Sequence, residues 1–138
     1  MTDEMSVLLV DDEKDFLEVL TKRLRKRKLR LVAANSGAEA IRTVQDTPID
    51  VVVLDMRMPQ MDGLQTLREI KRINPGVEVI MLTGHANVET AVEGMELGAF
   101  DYLIKPVDID ELLYKLQDAF KKKAMSEHSS GKTGLVNY

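Results

Sequence analysis

The sequence contains no cysteine and no tryptophan, and only 4% of its 138 residues are aromatic. Without cysteine there is neither a disulfide framework nor a thiolate metal site, which fits a reducing compartment. So few aromatics argue against a stacking platform for single-stranded nucleic acid. No apolar run approaches the roughly 20 residues that a membrane span needs. The opening MTDEMS is short and acidic, unlike a secretory leader. The expected location is therefore the cytoplasm, with no membrane partner. A large basic excess is also missing. The net charge is −4, so the chain as a whole is not built to neutralise phosphates, and no direct nucleic-acid partner is expected.

What is present suits one domain with one sizeable core: 44% of the residues are hydrophobic. Short apolar runs recur: VLLV (Val7 to Val10), LRLVAA (Leu29 to Ala34), VVVL (Val51 to Leu54), VEVIML (Val77 to Leu82) and DYLI (Asp101 to Ile104). Three are almost unbroken aliphatic stretches, the pattern of strands buried on both faces of a parallel sheet. Helical spacing fills the intervals. Phe16, Leu17, Leu20 and Leu24 line a first helix; Ser36 and Glu39 form a capping box before Ile41 and Val44. Leu64, Leu67 and Ile70 line a third helix, which ends near NPG (Asn74 to Gly76). Val88, Ala91, Val92 and Met95 mark a fourth, with Gly98 as its stop. Asp108 and Glu111 open a fifth that carries Leu112, Leu113, Leu116 and Phe120 and ends at Lys121, Lys122 and Lys123.

Strand then helix, five times over, predicts an α/β fold with a doubly wound parallel sheet. Residues 1–123 form the expected domain; the polar residues 124–138 read as a tail or the start of a linker.

In a parallel sheet every strand ends on the same edge, where open α/β folds bind ligands. Asp11 and Asp12 follow the first strand, Asp55 the third, Thr83 the fourth, and Lys105 with Pro106 the fifth. Three carboxylates, a hydroxyl and an ammonium therefore converge. Such carboxylates are relieved by a hard divalent cation, by a lysine, or by both. A carboxylate so placed can attack a phosphoryl group and form an aspartyl phosphate. The cation, the ammonium and the hydroxyl would then stabilise the phosphoryl oxygens.

The set VDDE, LDMRMPQMDG, MLTGHA and FDYLIKP resembles the receiver domain of bacterial two-component response regulators, over about Val7 to Lys123. The stretch GHANVETAVEGMELGAFDYLIKPVDIDELL resembles receivers attached to enhancer-dependent transcription activators. The resemblance implies a flavodoxin-like (βα)5 fold with strand order 2-1-3-4-5. It implies Asp55 as phosphoacceptor, with Lys105 and Thr83 assisting. It implies Mg²⁺, or Mn²⁺ in its place, held by Asp11, Asp12, Asp55 and the Arg57 backbone carbonyl. Thr83 and Tyr102 would be the switch pair, and the Lys105–Pro106 peptide could be cis. Arg57 and His85 would tune dephosphorylation. A sensor histidine kinase is the implied phosphodonor. Dimerisation through the fourth helix, fifth strand and fifth helix is a further implied partner mode, as is an output domain not contained in these residues. The chain would be a regulatory domain that assists its own phosphorylation and dephosphorylation, not an enzyme acting on others.

Plainer readings stand beside these. An isolated Asp-Asp pair is a common helix cap. Tyr102 is equally well ordinary strand packing. His85 reads as an exposed loop residue before it reads as a catalyst. The methionines read as core filler. KRLRKRKLR (Lys22 to Arg30) reads first as a solvated helix end, next as a docking surface for an acidic kinase face, and last as a DNA contact. The rival function is a Mg²⁺-dependent phosphatase or phosphotransferase working through an aspartyl phosphate. Its usual cap insertion has no counterpart among the five units.

Overall fold

The computed structural model describes residues 4–25, 27–57, 62–84 and 88–136, with side-chain surroundings as far as residue 126. Five strands alternate with five helices: β1 (Met5–Val10), α1 (Lys14–Arg25), β2 (Leu29–Ala34), α2 (Gly37–Asp46), β3 (Val51–Asp55), α3 (Gly63–Ile73), β4 (Glu78–Thr83), α4 (Val88–Glu96), β5 (Asp101–Ile104) and α5 (Ile109–Val136). All four pairings are parallel, and the strand order is β2-β1-β3-β4-β5.

That order explains the apolar runs. Every residue of β1, β3 and β4 is buried, because these strands are central and covered on both faces. The edge strands β2 and β5 are only partly covered. Side chains alternate between two layers. Leu8, Val10, Val52, Leu54 and Met81 pack against Ala40 and Val44 of α2 and Leu67 and Ile70 of α3. Val7, Leu9, Val53, Ile80 and Leu82 pack against Leu17, Leu20 and Leu24 of α1 and Leu112, Leu116 and Ala119 of α5. Met5, Met56 and Met81 are core residues, as expected of filler; Met95 and Met125 are exposed.

The helix starts follow local chemistry. Ser36 accepts a hydrogen bond from the Glu39 backbone, while the Glu39 carboxylate accepts from Asn35 N–H, one residue earlier than a capping box requires. A complete capping box instead opens α3, where Asp62 and Gln65 satisfy each other's backbone N–H groups. Asp108 accepts from the backbones of Asp110 and Glu111 at the start of α5. Gly98, with φ of 103°, ends the fourth unit in the left-handed region that glycine favours.

One further expectation is corrected. α5 does not end at Lys123 but continues without interruption to Val136, across the residues read as a tail. No proline follows Pro106, so nothing obliges the backbone to leave the helix there. In α4 only Ala91 and Gly94 are buried; Val88, Val92 and Met95 lie on the surface beside Tyr102 and Ile104 of β5. Among the described residues, no helix is long and apolar enough to cross a membrane.

The sheet edge opposite the strand ends is tied by charge. Lys122 of α5 reaches the buried Glu78 at the start of β4 at 3.5 Å, and Lys123 reaches Asp50 at 3.3 Å. Asp50 also accepts the Ser6 N–H at 2.8 Å.

Candidate functional site

The site is assembled where β1, β3, β4 and β5 end. Asp11 is held by backbone at both ends: its N–H donates to Ala34 O at 3.1 Å, and its carboxylate accepts Glu13 N–H at 2.9 Å. Asp11 is 1% exposed, whereas Asp12 is open to solvent. Asp55, the last residue of β3, is 4% exposed and accepts Arg57 N–H at 3.2 Å. Carboxylate oxygens of Asp11, Asp12 and Asp55 all lie within 4.8 Å of one another. Lys105 enters from the end of β5, its N–H bonded to Thr83 O at 2.8 Å and its peptide with Pro106 cis. Its ammonium sits 3.0 Å from Asp11, 3.7 Å from Asp55 and 3.8 Å from Glu13. Asp12, Glu13, Asp55, Arg57, Gly84 and Lys105 line an open depression of about 510 Å³.

The electrostatics follow from burial and crowding. Asp55 is pushed up from the ordinary 3.8 to about 6, first by desolvation and next by the Asp11 charge. The Arg57 N–H and Lys105 offset only part of this. Lys105 is held above the ordinary lysine range. Desolvation opposes its charge, but the hydrogen bond to Asp11 and the charges of Asp55, Asp11 and Glu13 outweigh it. The donor set therefore fits a hard divalent cation: three carboxylates in contact range, one of them destabilised by burial and by the neighbouring Asp11 charge.

Five of the expected residues, Asp11, Asp12, Asp55, Arg57 and Lys105, converge on one place. Thr83 is buried beside them, and with Tyr102 it lines a second, apolar cavity of about 100 Å³ under α4. Tyr102 is 40% exposed. His85, Met58 and Met61 lie outside the described residues. Two contacts were not read from the sequence. Glu13, the third acid of VDDE, reaches Lys105, and the Phe16 ring lies 4.4 Å under the same ammonium. Phe16 stands one helical turn after Asp12, and that spacing was the available signal.

Residues 7–117 match the family model of the response regulator receiver domain. The chain belongs to this family. The receiver is 40% identical over 136 residues to the transcriptional regulatory protein ZraR of Klebsiella oxytoca, covering 99% of this chain and 31% of that protein. It is 38% identical over 130 residues to GlrR of Escherichia coli K12, covering 94% of this chain and 29% of that one. The receiver thus spans under a third of the length of these curated relatives. Among solved structures, a receiver domain protein from Clostridium thermocellum superposes with a TM-score of 0.84 at 36% identity, over 88% of this chain and 98% of that one. NtrX from Brucella abortus gives 0.87 at 30% identity, over 93% of this chain and 30% of that one.

Proposed function

We propose that this receiver is a phosphorylation-activated switch that accepts a phosphoryl group from a sensor histidine kinase on Asp55. The observation that carries the reading is the clustering of Asp11, Asp12 and Asp55 within 4.8 Å, with the Lys105 ammonium among them. An Asp55 oxygen attacks the phosphorus of a phosphohistidine. The phosphorus–nitrogen bond breaks, its electrons leave with the imidazole, and an aspartyl phosphate forms. Lys105 exchanges part of its pairing with Asp55 for the incoming phosphoryl oxygens. Asp11, Asp12, Asp55 and the Arg57 backbone carbonyl would hold Mg²⁺, or Mn²⁺ in its place, which supplies positive charge to those oxygens. The Thr83 hydroxyl turns to the new phosphate. The cavity that Thr83 shares with Tyr102 supports a coupled inward turn of the tyrosine.

The output face is then α4, β5 and α5. Val88, Val92, Met95, Tyr102 and Ile104 leave apolar surface uncovered there, which suits a second copy or an output domain in a longer chain. Arg57 borders the depression and would govern water entry. Residues 1–123 form the receiver unit, and the cytoplasm is its proposed setting.

The test is incubation of the chain with phosphoramidate and Mg²⁺, followed by intact mass. One hydroxylamine-sensitive phosphoryl increment is expected, and chelation of the metal removes it. No adduct, or an adduct indifferent to chelation, rejects the reading. Catalytic turnover of an added phosphoester would instead favour the enzyme.

The kinase would approach over α1. Lys22, Arg23, Arg25 and Arg27 line a depression of about 850 Å³ beside Ile109 and Asp110, and none of the four has a carboxylate partner among the described residues. The combined Arg23→Glu and Arg27→Glu variant is expected to slow phosphotransfer from the cognate kinase by roughly tenfold, and to slow uptake from phosphoramidate far less. Equal slowing from both donors would place the defect in the site instead.

A further inference from the structure

We infer that Phe16 is a positioning residue for Lys105, holding the ammonium over the carboxylates by a cation–π contact; its effect on phosphorylation rests on the function proposed above. Among the described residues the Lys105 ammonium lies near Asp11 at 3.0 Å, Asp55 at 3.7 Å, Glu13 at 3.8 Å and the Phe16 ring centroid at 4.4 Å. Asp11 and Asp55 are buried and belong to the site. Glu13 is different: its side chain is 69% exposed, and it competes for the same cation at the mouth of the depression. An ammonium on a four-carbon stem loses rotamer freedom when it is fixed, and a solvated carboxylate offers it a way out.

The ring opposes that escape. Phe16 is half-buried on α1 and packs against the core layer of α1 and α5, so its position is set by the fold. Its negative π face gives the ammonium a partner that needs no water and carries no charge to compete with the phosphoryl group. A leucine here would cover the lysine stem equally well but would present no such face. Phe16 also lines a groove of about 600 Å³ with Val19, Leu20, Pro106 and Val107, which borders the site through Glu13 and Lys105. The ring is therefore shared between the wall of that groove and the reacting cation.

The experiment uses the full chain as wild type, Phe16→Leu, Phe16→Tyr, Lys105→Met and the Phe16→Leu/Lys105→Met double variant. With lysine labelled at the ε-carbon, the Lys105 ε-methylene protons are expected upfield in wild type and Phe16→Tyr, from the ring current. They should return to the ordinary lysine position in Phe16→Leu. Phosphorylation by phosphoramidate with Mg²⁺ is expected to slow by roughly two- to fivefold in Phe16→Leu. It should stay near wild type in Phe16→Tyr and fall no further when Phe16→Leu is added to Lys105→Met. Lys105 protons at the ordinary position in wild type overturn the inference. So does equal slowing in both Phe16 variants, or an additive loss in the double variant. A normal ring-current pattern with no adduct in wild type would instead reject the proposed phosphoacceptor function, and with it the role of Phe16 in the reaction.

Discussion

Asp55→Asn is expected to stabilise the metal-free protein by about 1–2 kcal/mol at pH 7.5, or roughly 3–10 °C in melting temperature. The Asp55 carboxyl holds its proton up to about pH 6 in the folded state, against 3.8 in the reference state. Between these values the unfolded chain has already lost the proton, so folding requires its uptake. Stability therefore falls as pH rises from about 4 to 6, and above that range the whole cost of the buried charge is present. Asparagine keeps the shape and carries no charge. Its advantage should be full at pH 7.5, shrink as pH falls through about 6, and vanish near pH 4. Urea melts of both proteins in chelator, across that range, measure it. Equal stability at pH 7.5, or a gain that grows toward acid, would show that the carboxylate is not under strain. On the proposed function the same substitution is expected to remove the phosphoryl adduct, so stability would be exchanged for function at this position. Added Mg²⁺ should stabilise the wild type and narrow the gap, because a ligand that binds only the folded state favours it.

Gly63→Ala is expected to cost about 1–3 kcal/mol and to disturb phosphorylation as well. A Cβ at Gly63 would stand 2.4 Å from the Cα of Met56 and 2.7 Å from its sulfur. The thioether can swing aside; the Met56 backbone cannot, because its N–H donates to Leu82 O at 3.0 Å across the sheet. Met56 directly follows Asp55, so the relaxation that admits the methyl moves the Asp55 carboxylate. Alanine is otherwise favoured over glycine in a helix, which makes a loss of stability diagnostic of the clash. Thermal melts and adduct formation by intact mass measure the two consequences. An alanine variant as stable and as reactive as wild type would show that the α3 start has room to spare.

Much of this architecture was legible in the sequence. VLLV and VVVL are wholly aliphatic and VEVIML carries a single charge, Glu78, so they read as interior strands of a two-sided sheet. Once the strands are parallel, Asp11, Asp12, Asp55 and Lys105 must share an edge, and their convergence follows from topology alone. The Phe16 contact was not legible in the same way, because it depends on how α1 lies against the end of β5. The α3 capping box was hidden for a different reason. Its aspartate, Asp62, also belongs to the MDG segment, whose resemblance to the family drew the reading elsewhere. The length of α5 was not legible because SSGKTG is rich in weak helix formers and carries no apolar stripe.

The ion pairs at the far edge of the sheet bear on motion. α5 starts beside Lys105, and partway along its length Lys122 and Lys123 anchor it to Glu78 and Asp50. A helix fastened below its top behaves as a stiff rod on a pivot. Under the proposed switch, a displacement at the site end would be taken up as tilt about those anchors. Severing Lys122 and Lys123 from their partners is expected to spare the proposed phosphoryl uptake at Asp55 while loosening the far part of the helix.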